Sequence, residues 1–165
     1  MNTREIILGV LQFLALVAVF IQVYVAFNAV KADHERKRKQ STIEYIGKIW
    51  SESRYELESR YGTDPLTKED IKDIENNKEL TASVIRLLGQ LEHIAVGVNS
   101  GVYDKDILYR MSSASISKIY ARLYLFVEER RKNNPRAYIE LEELVSEFRE
   151  RNRDRPGTSG NIRHS

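Results

Sequence analysis

The 165-residue chain contains no cysteine. That excludes disulfides, thiolate zinc sites, iron–sulfur clusters and cysteine nucleophiles. Proline is scarce, with three residues, and glycine numbers only eight. So few turn-formers argue against an all-β sandwich and against low complexity. A dominant charge is also lacking: 26 Lys and Arg stand against 24 Asp and Glu. Such balance does not fit a dedicated nucleic-acid binder, so no nucleic-acid partner is expected. The three histidines, His34, His93 and His164, are too scattered for a metal-ligand spacing. No zincin, EF-hand, phosphate-loop or nucleophile-elbow motif occurs. Neither a metal nor a cofactor is expected. The serines Ser112, Ser113, Ser115 and Ser117 fall within a helical pattern without a positioned base.

What is present is sharply divided. Residues 6–27 are 22 residues without a charge. As a helix they extend about 33 Å, enough for a hydrocarbon core of ~30 Å. A cleaved signal peptide is the competing reading. The run is longer than a signal core, and no small-residue cleavage site follows Phe27. A buried core helix would need a polar face, which this run lacks. Residues 6–27 are therefore read as a transmembrane helix, with residues 1–5 as a short extracytoplasmic tail.

The flanks set the orientation. Lys31, Arg36, Lys37, Arg38 and Lys39 follow the run, whereas only Arg4 precedes it. The positive-inside bias places the C-terminal side in the cytoplasm, as expected for a single-pass protein of a bacterial inner membrane. Residues 28–40 form a basic neck that can attract anionic lipid as well as fix topology.

Residues 41–153 read as a cytosolic helical domain. Ile43, Ile46, Trp50 and Leu57 recur at helical steps from Gln40 to Tyr61, and Gly62 and Pro65 end the segment. Thr67 is placed to cap the next helix. Lys68 to Asn77 is acidic and short. From Leu80 the face Val84, Leu87, Leu88, Leu91, Ala95 and Val98 is apolar. Asp104 is placed to cap a third helix reaching about Lys132, apolar on two sides, with Met111 and Tyr124 among its apolar positions. Pro135 is expected at the first position of the last helix, which carries Tyr138, Leu141, Leu144, Val145 and Phe148. Residues 154–165 are expected to be a disordered tail. The fold class is all-α: one transmembrane helix followed by a bundle of about four helices.

One register runs through the boundary. Leu8, Leu11, Ala15, Ala18, Gln22 and Val25 follow three–four spacing, and the same spacing reaches Ile43, Ile46, Trp50, Ser53 and Leu57. It predicts one long helix without a hinge and offers a seam for a homodimer. Ala15 and Ala18 would permit close approach and Gln22 a hydrogen bond across the pair.

Two constellations could carry more. Glu92 falls on an otherwise apolar stripe, and a buried carboxylate needs a partner. Arg122 and Arg130 on the third helix are the expected ion-pair candidates. Arg86 and His93 share a helical face, and an arginine followed shortly by a histidine resembles the signature of the HEPN ribonucleases. That resemblance implies joint action on an RNA phosphate, but the surrounding Leu-Leu-Gly-Gln-Leu-Glu is less polar than that family's context.

Several stretches together resemble a second family. They are the helix from Val84 to Gly101, especially Leu91-Glu92 and Ile94 to Gly97, then Gly101-Val-Tyr-Asp104 and Ile107-Leu108. Tyr120, Arg130, Arg131, Tyr138 and Leu141-Glu142-Glu143-Leu144 complete the set. They resemble an uncharacterised bacterial family of small single-pass membrane proteins with a helical cytosolic domain of unknown function. The resemblance implies architecture and topology, not an activity. The expected role is a non-catalytic interaction or scaffold module with an unidentified protein partner. The alternatives are a membrane-tethered HEPN-like ribonuclease and a dimeric signalling component. The neck, the acidic stretch from Glu69 to Glu79, and Arg130, Arg131, Lys132 and Arg136 are the candidate surfaces.

Overall fold

A computed structural model describes residues 2–49 and 53–154. Trp50, the tail from residue 155 with His164, and the side chain of Ser53 lie outside the described residues. Among the described residues there are six α-helices and no strand. By internal contacts the chain divides into two units, one ending at Gln40 and one beginning at Ser41.

The first unit is helical from Thr3 onward. Helix α1 spans Thr3–Ile49. The apolar side chains described between residues 7 and 30 are exposed, Phe20 and Phe27 at 67% among them. The helix is long and apolar enough to cross a membrane. The neck stays helical because Lys, Ala, Glu, Arg and Gln are strong helix formers. The Asp33 carboxylate also meets Lys37 Nζ at 2.7 Å one turn later. This acid-before-base order suits the helix dipole. The neck cations Lys31, Arg36, Lys37, Arg38 and Lys39 are all exposed.

The second unit is a helical bundle. It comprises the end of α1 with α2 (Ser53–Tyr61), α3 (Lys68–Asn76), α4 (Lys78–Asn99), α5 (Lys105–Arg131) and α6 (Ile139–Arg153). Helix α6 packs on both α4 and α5, while α2 and α3 pack on α4. The core holds the expected face of α4. Leu108, Ile116, Leu123 and Phe126 join it from α5, and Leu141, Leu144, Val145 and Phe148 from α6. Met111 and Tyr124 depart from the expected packing and are 50% and 42% exposed. Tyr124 borders a hollow that it shares with Glu142, Val145 and Arg149 of α6.

Local chemistry fixes most helix ends. Gly62 takes a left-handed φ of +63° after α2, a conformation glycine adopts without a Cβ penalty. Thr67 and Asp70 form a reciprocal capping box at α3. Asn77 separates the short acidic helix α3 from the apolar α4. Its backbone N–H donates to the Ile74 carbonyl, and its side-chain oxygen accepts from Glu79 and Leu80 N–H. Asp104 caps α5 by accepting from Ile107 N–H at 3.0 Å. The Thr42 hydroxyl oxygen, fully buried on α1, accepts the Asp104 N–H at 2.8 Å. The last turns of α1 are thereby tied to the start of α5.

At this same N-terminal end of α5 a polar ladder holds the second half of α6. Lys105 pairs with Glu147 at 2.6 Å, Arg151 with Asp106 at 2.7 Å, and the Tyr109 hydroxyl donates to Asn152 at 2.6 Å. These exposed pairs add direction more than energy. The Tyr109 ring meets buried Phe148 edge-on, which carries the apolar part of the contact.

Candidate functional site

The polar group that joins α4 to α6 is Glu92. It lies half-buried on α4, facing the start of α6. There the chain makes a sharp entry. Pro135 does not open α6; residues 134–137 form a turn, and the helix starts at Ile139. Tyr138 occupies the cap position with φ 58° and ψ 35° and makes no side-chain cap bond. A left-handed non-glycine residue is costly and must be held by its surroundings. The first N–H groups of α6 therefore need an outside acceptor. Glu92 supplies it. Its Oε2 accepts the Leu141 N–H at 2.8 Å, and its Oε1 accepts the Glu140 N–H at 3.3 Å. Burial raises the Glu92 carboxyl above its ordinary range, and the two N–H bonds offset part of that rise.

The expected partner of Glu92 is thus corrected. Among the described residues neither Arg122 nor Arg130 forms an ion pair with it, because a helix N-terminus already satisfies the carboxylate. Arg122 is only 8% exposed and serves α2 instead, donating from Nη2 to the Leu57 carbonyl at 3.0 Å. Arg130 lays its guanidinium over the buried Phe126 ring, 4.8 Å from the centroid.

Its neighbour Arg131 holds the strained turn. Arg131 Nε donates to the Ala137 carbonyl at 3.0 Å, and Nη2 to the Tyr138 carbonyl at 3.4 Å. The same guanidinium reaches Glu142 at 2.8 Å, and that bond keeps the Glu142 carboxyl below its ordinary range. A planar, five-donor group suits such multiple anchoring better than an ammonium would. Sequence spacing gave no sign of this clamp, since its acceptors are main-chain carbonyls in a turn.

Arg86 and His93 are both exposed on α4. The His93 ring packs against Tyr45 of α1, with centroids 5.4 Å apart, and Tyr45 stacks on Tyr103 at 5.2 Å. His93 thus takes part in an aromatic row that Arg86 does not join. Among the described residues no group of three or more His, Asp or Glu is placed to hold a metal ion.

Beside Glu92 the α5–α6 turn and α4 enclose a cleft of about 530 Å³. Ile85 and Gly89 of α4 form one wall, Arg130, Arg136 and Tyr138 the other, and Glu92 stands at its inner edge. Neither Arg86 nor His93 lines it.

No curated protein and no solved structure matches the chain. A family model does. It matches residues 12–148, taking in most of the apolar run, the neck and the bundle through Phe148. The match takes in both the stretch from Val84 to Phe148 and most of the apolar anchor, the parts that carry the resemblance to an uncharacterised family. The chain belongs to the family described as a domain of unknown function, DUF4760.

Proposed function

We propose that this chain is a single-pass protein of a bacterial inner membrane that presents its helical bundle to the cytoplasm as a non-catalytic interaction module. The carrying observation is α1. Its first part is apolar and exposed on every side, and the cationic neck that follows is helical and exposed as well. An apolar face of that size has no favourable place in water. Five cations after the run against one before it favour the N-terminus outside. A family match that begins at residue 12, inside the run, supports a retained anchor over a removable leader.

The chemistry of the bundle supports the non-catalytic part. Glu92, Arg122 and Arg131 each bind main-chain groups that join two elements. Their polarity is spent on architecture. A protein partner on the bundle, anionic lipid at the neck and a second copy along α1 complete the proposal.

Topology is read by fusing alkaline phosphatase or a fluorescent protein to the C-terminus. The expected result is fluorescence without phosphatase activity; an active phosphatase reverses the orientation. Crosslinking of the full-length protein in native membranes is expected to trap a discrete protein partner. RNA cleavage by the purified chain that vanishes in Arg86→Ala and His93→Ala would instead make it an enzyme.

The absence of cysteine makes the homodimer directly testable. With Ala18→Cys as the only thiol, oxidation in membranes is expected to give a disulfide-linked dimer. Phe20→Cys, about 200° around the helix from residue 18, is expected to give little. Equal crosslinking at both positions would discard the seam.

A further inference from the structure

Helix α4 contains two glycines in opposite surroundings. A Cβ on Gly97 would lie 2.2 Å from Cδ2 of Tyr103, so packing there forbids a side chain. A Cβ on Gly89 would meet nothing within 4 Å. Gly89 is exposed, its φ is not positive, and no turn needs it. Glycine in a helix interior lowers stability relative to alanine. Nothing in the fold compensates for that loss at position 89. What the missing side chain leaves is open space on the α4 wall of the cleft beside Glu92.

The other walls define what would fit. Ile85 is 40% exposed there and gives an apolar surface. The Tyr138 residue is held in a strained left-handed conformation, a feature that gathers at binding sites. Arg130 and Arg136 line the cleft, and among the described residues neither forms an ion pair. Arg130 Nε is buried without an acceptor. An unmet charged donor of this kind is costly. The Glu92 carboxylate at the inner edge faces the start of α6, where both of its oxygens accept main-chain N–H groups, and it leaves the lining with one net positive charge. Two cations against one carboxylate, beside an apolar wall, select an anion with an apolar part, and the volume is that of a small-molecule site.

We propose that this cleft binds a small amphipathic anion, with its carboxylate or phosphate on Arg130 and Arg136 and its ring or short acyl chain over Gly89 against Ile85. This goes beyond the anchoring role and does not depend on it. A free aryl or acyl phosphate and an anionic lipid headgroup both carry this chemistry.

The test uses the full-length protein in phosphatidylcholine nanodiscs, titrated with phenyl phosphate by calorimetry. Saturable binding is expected, at least tenfold tighter than that of inorganic phosphate or phenol. Gly89→Trp fills the cleft from a position with no neighbours, and Arg136→Gln removes a cation from an exposed turn. Each is expected to weaken binding at least tenfold with an unchanged helical circular-dichroism spectrum, whereas Gly89→Ala retains it. Competition by phosphatidic acid included in the nanodisc assigns the lipid source, and its failure to compete assigns the free anion. No saturable binding in the millimolar range, or wild-type affinity in Gly89→Trp, overturns the proposal.

Discussion

Replacing Glu92 with alanine is expected to lower the stability of the helical domain by about 2 kcal/mol, the scale of a lost helix cap with charge-assisted hydrogen bonds. The main-chain N–H groups of Glu140 and Leu141 lose their acceptor. Tyr138 cannot replace it, because its own side chain makes no cap bond. The favourable charge at the positive end of the α6 dipole goes as well. Thermal unfolding followed by circular dichroism is expected to fall by roughly 8 °C at this domain size. A loss below about 0.5 kcal/mol, the size of an ordinary surface change, would mean that solvent caps α6 equally well.

The same variant has a pH signature. Burial raises the folded-state value of Glu92 above the unfolded one. The native protein therefore binds the proton more readily than the unfolded chain. The resulting stability is fully present below the unfolded value and is lost as pH rises through the folded value. The advantage of wild type over Glu92→Ala is thus expected to be larger at about pH 4 than at about pH 7.5. Glu142 works in the opposite sense. Its bond to Arg131 lowers its folded value, so its contribution is present above the unfolded value and lost as pH falls through the folded one. Both proteins keep that pair, so the difference between them isolates Glu92.

Gly97→Val is expected to cost about 2 kcal/mol or more, because it overpacks a closed site. The added Cβ would stand 2.2 Å from Cδ2 and 2.5 Å from Cε2 of Tyr103. The ring cannot simply retreat. The Tyr103 N–H donates to the Gly97 carbonyl at 2.9 Å, which pins the two backbones together, and the ring stacks on Tyr45. Helix propensity favours valine over glycine by only a few tenths of a kcal/mol, so the clash decides the sign. Tyr103→Ala should remove most of the penalty, visible as coupling in a double-mutant cycle. On the same helix Gly89→Ala meets no neighbour and is expected to stabilise by about 0.5–1 kcal/mol. Equal effects at the two glycines would contradict this account of α4.

The legible parts of the fold share a physical property: each is decided within a few residues. Exposed apolar length makes α1, and a helix needs no partner to reveal it. The Thr67 and Asp104 caps reach donors only three residues away, so spacing alone predicts them. The apolar face of α4 follows from helical period. Asn77 was as local as these caps. The donors to its side chain, the Glu79 and Leu80 N–H groups, lie where the short acidic stretch ending near Asn77 gives way to the apolar face from Leu80.

The residues that join elements were a different matter. Sequence marked Glu92 as a carboxylate needing a partner, yet the nearest cations by reasoning were not the answer. Its acceptor role connects residues 49 apart. The Thr42 to Asp104 bond spans 62 residues and the Arg122 to Leu57 bond 65. Main-chain groups carry no side-chain identity, so nothing in the sequence marks them as partners. Composition and period alone determined an all-α chain with one membrane-length helix and a basic neck, because burial and helix propensity act residue by residue. Only the tertiary structure decided where the polar groups of the bundle find their partners. Those depend on how α4, α5 and α6 pack, and a free N-terminus brought within reach of a carboxylate outcompetes an arginine that is not.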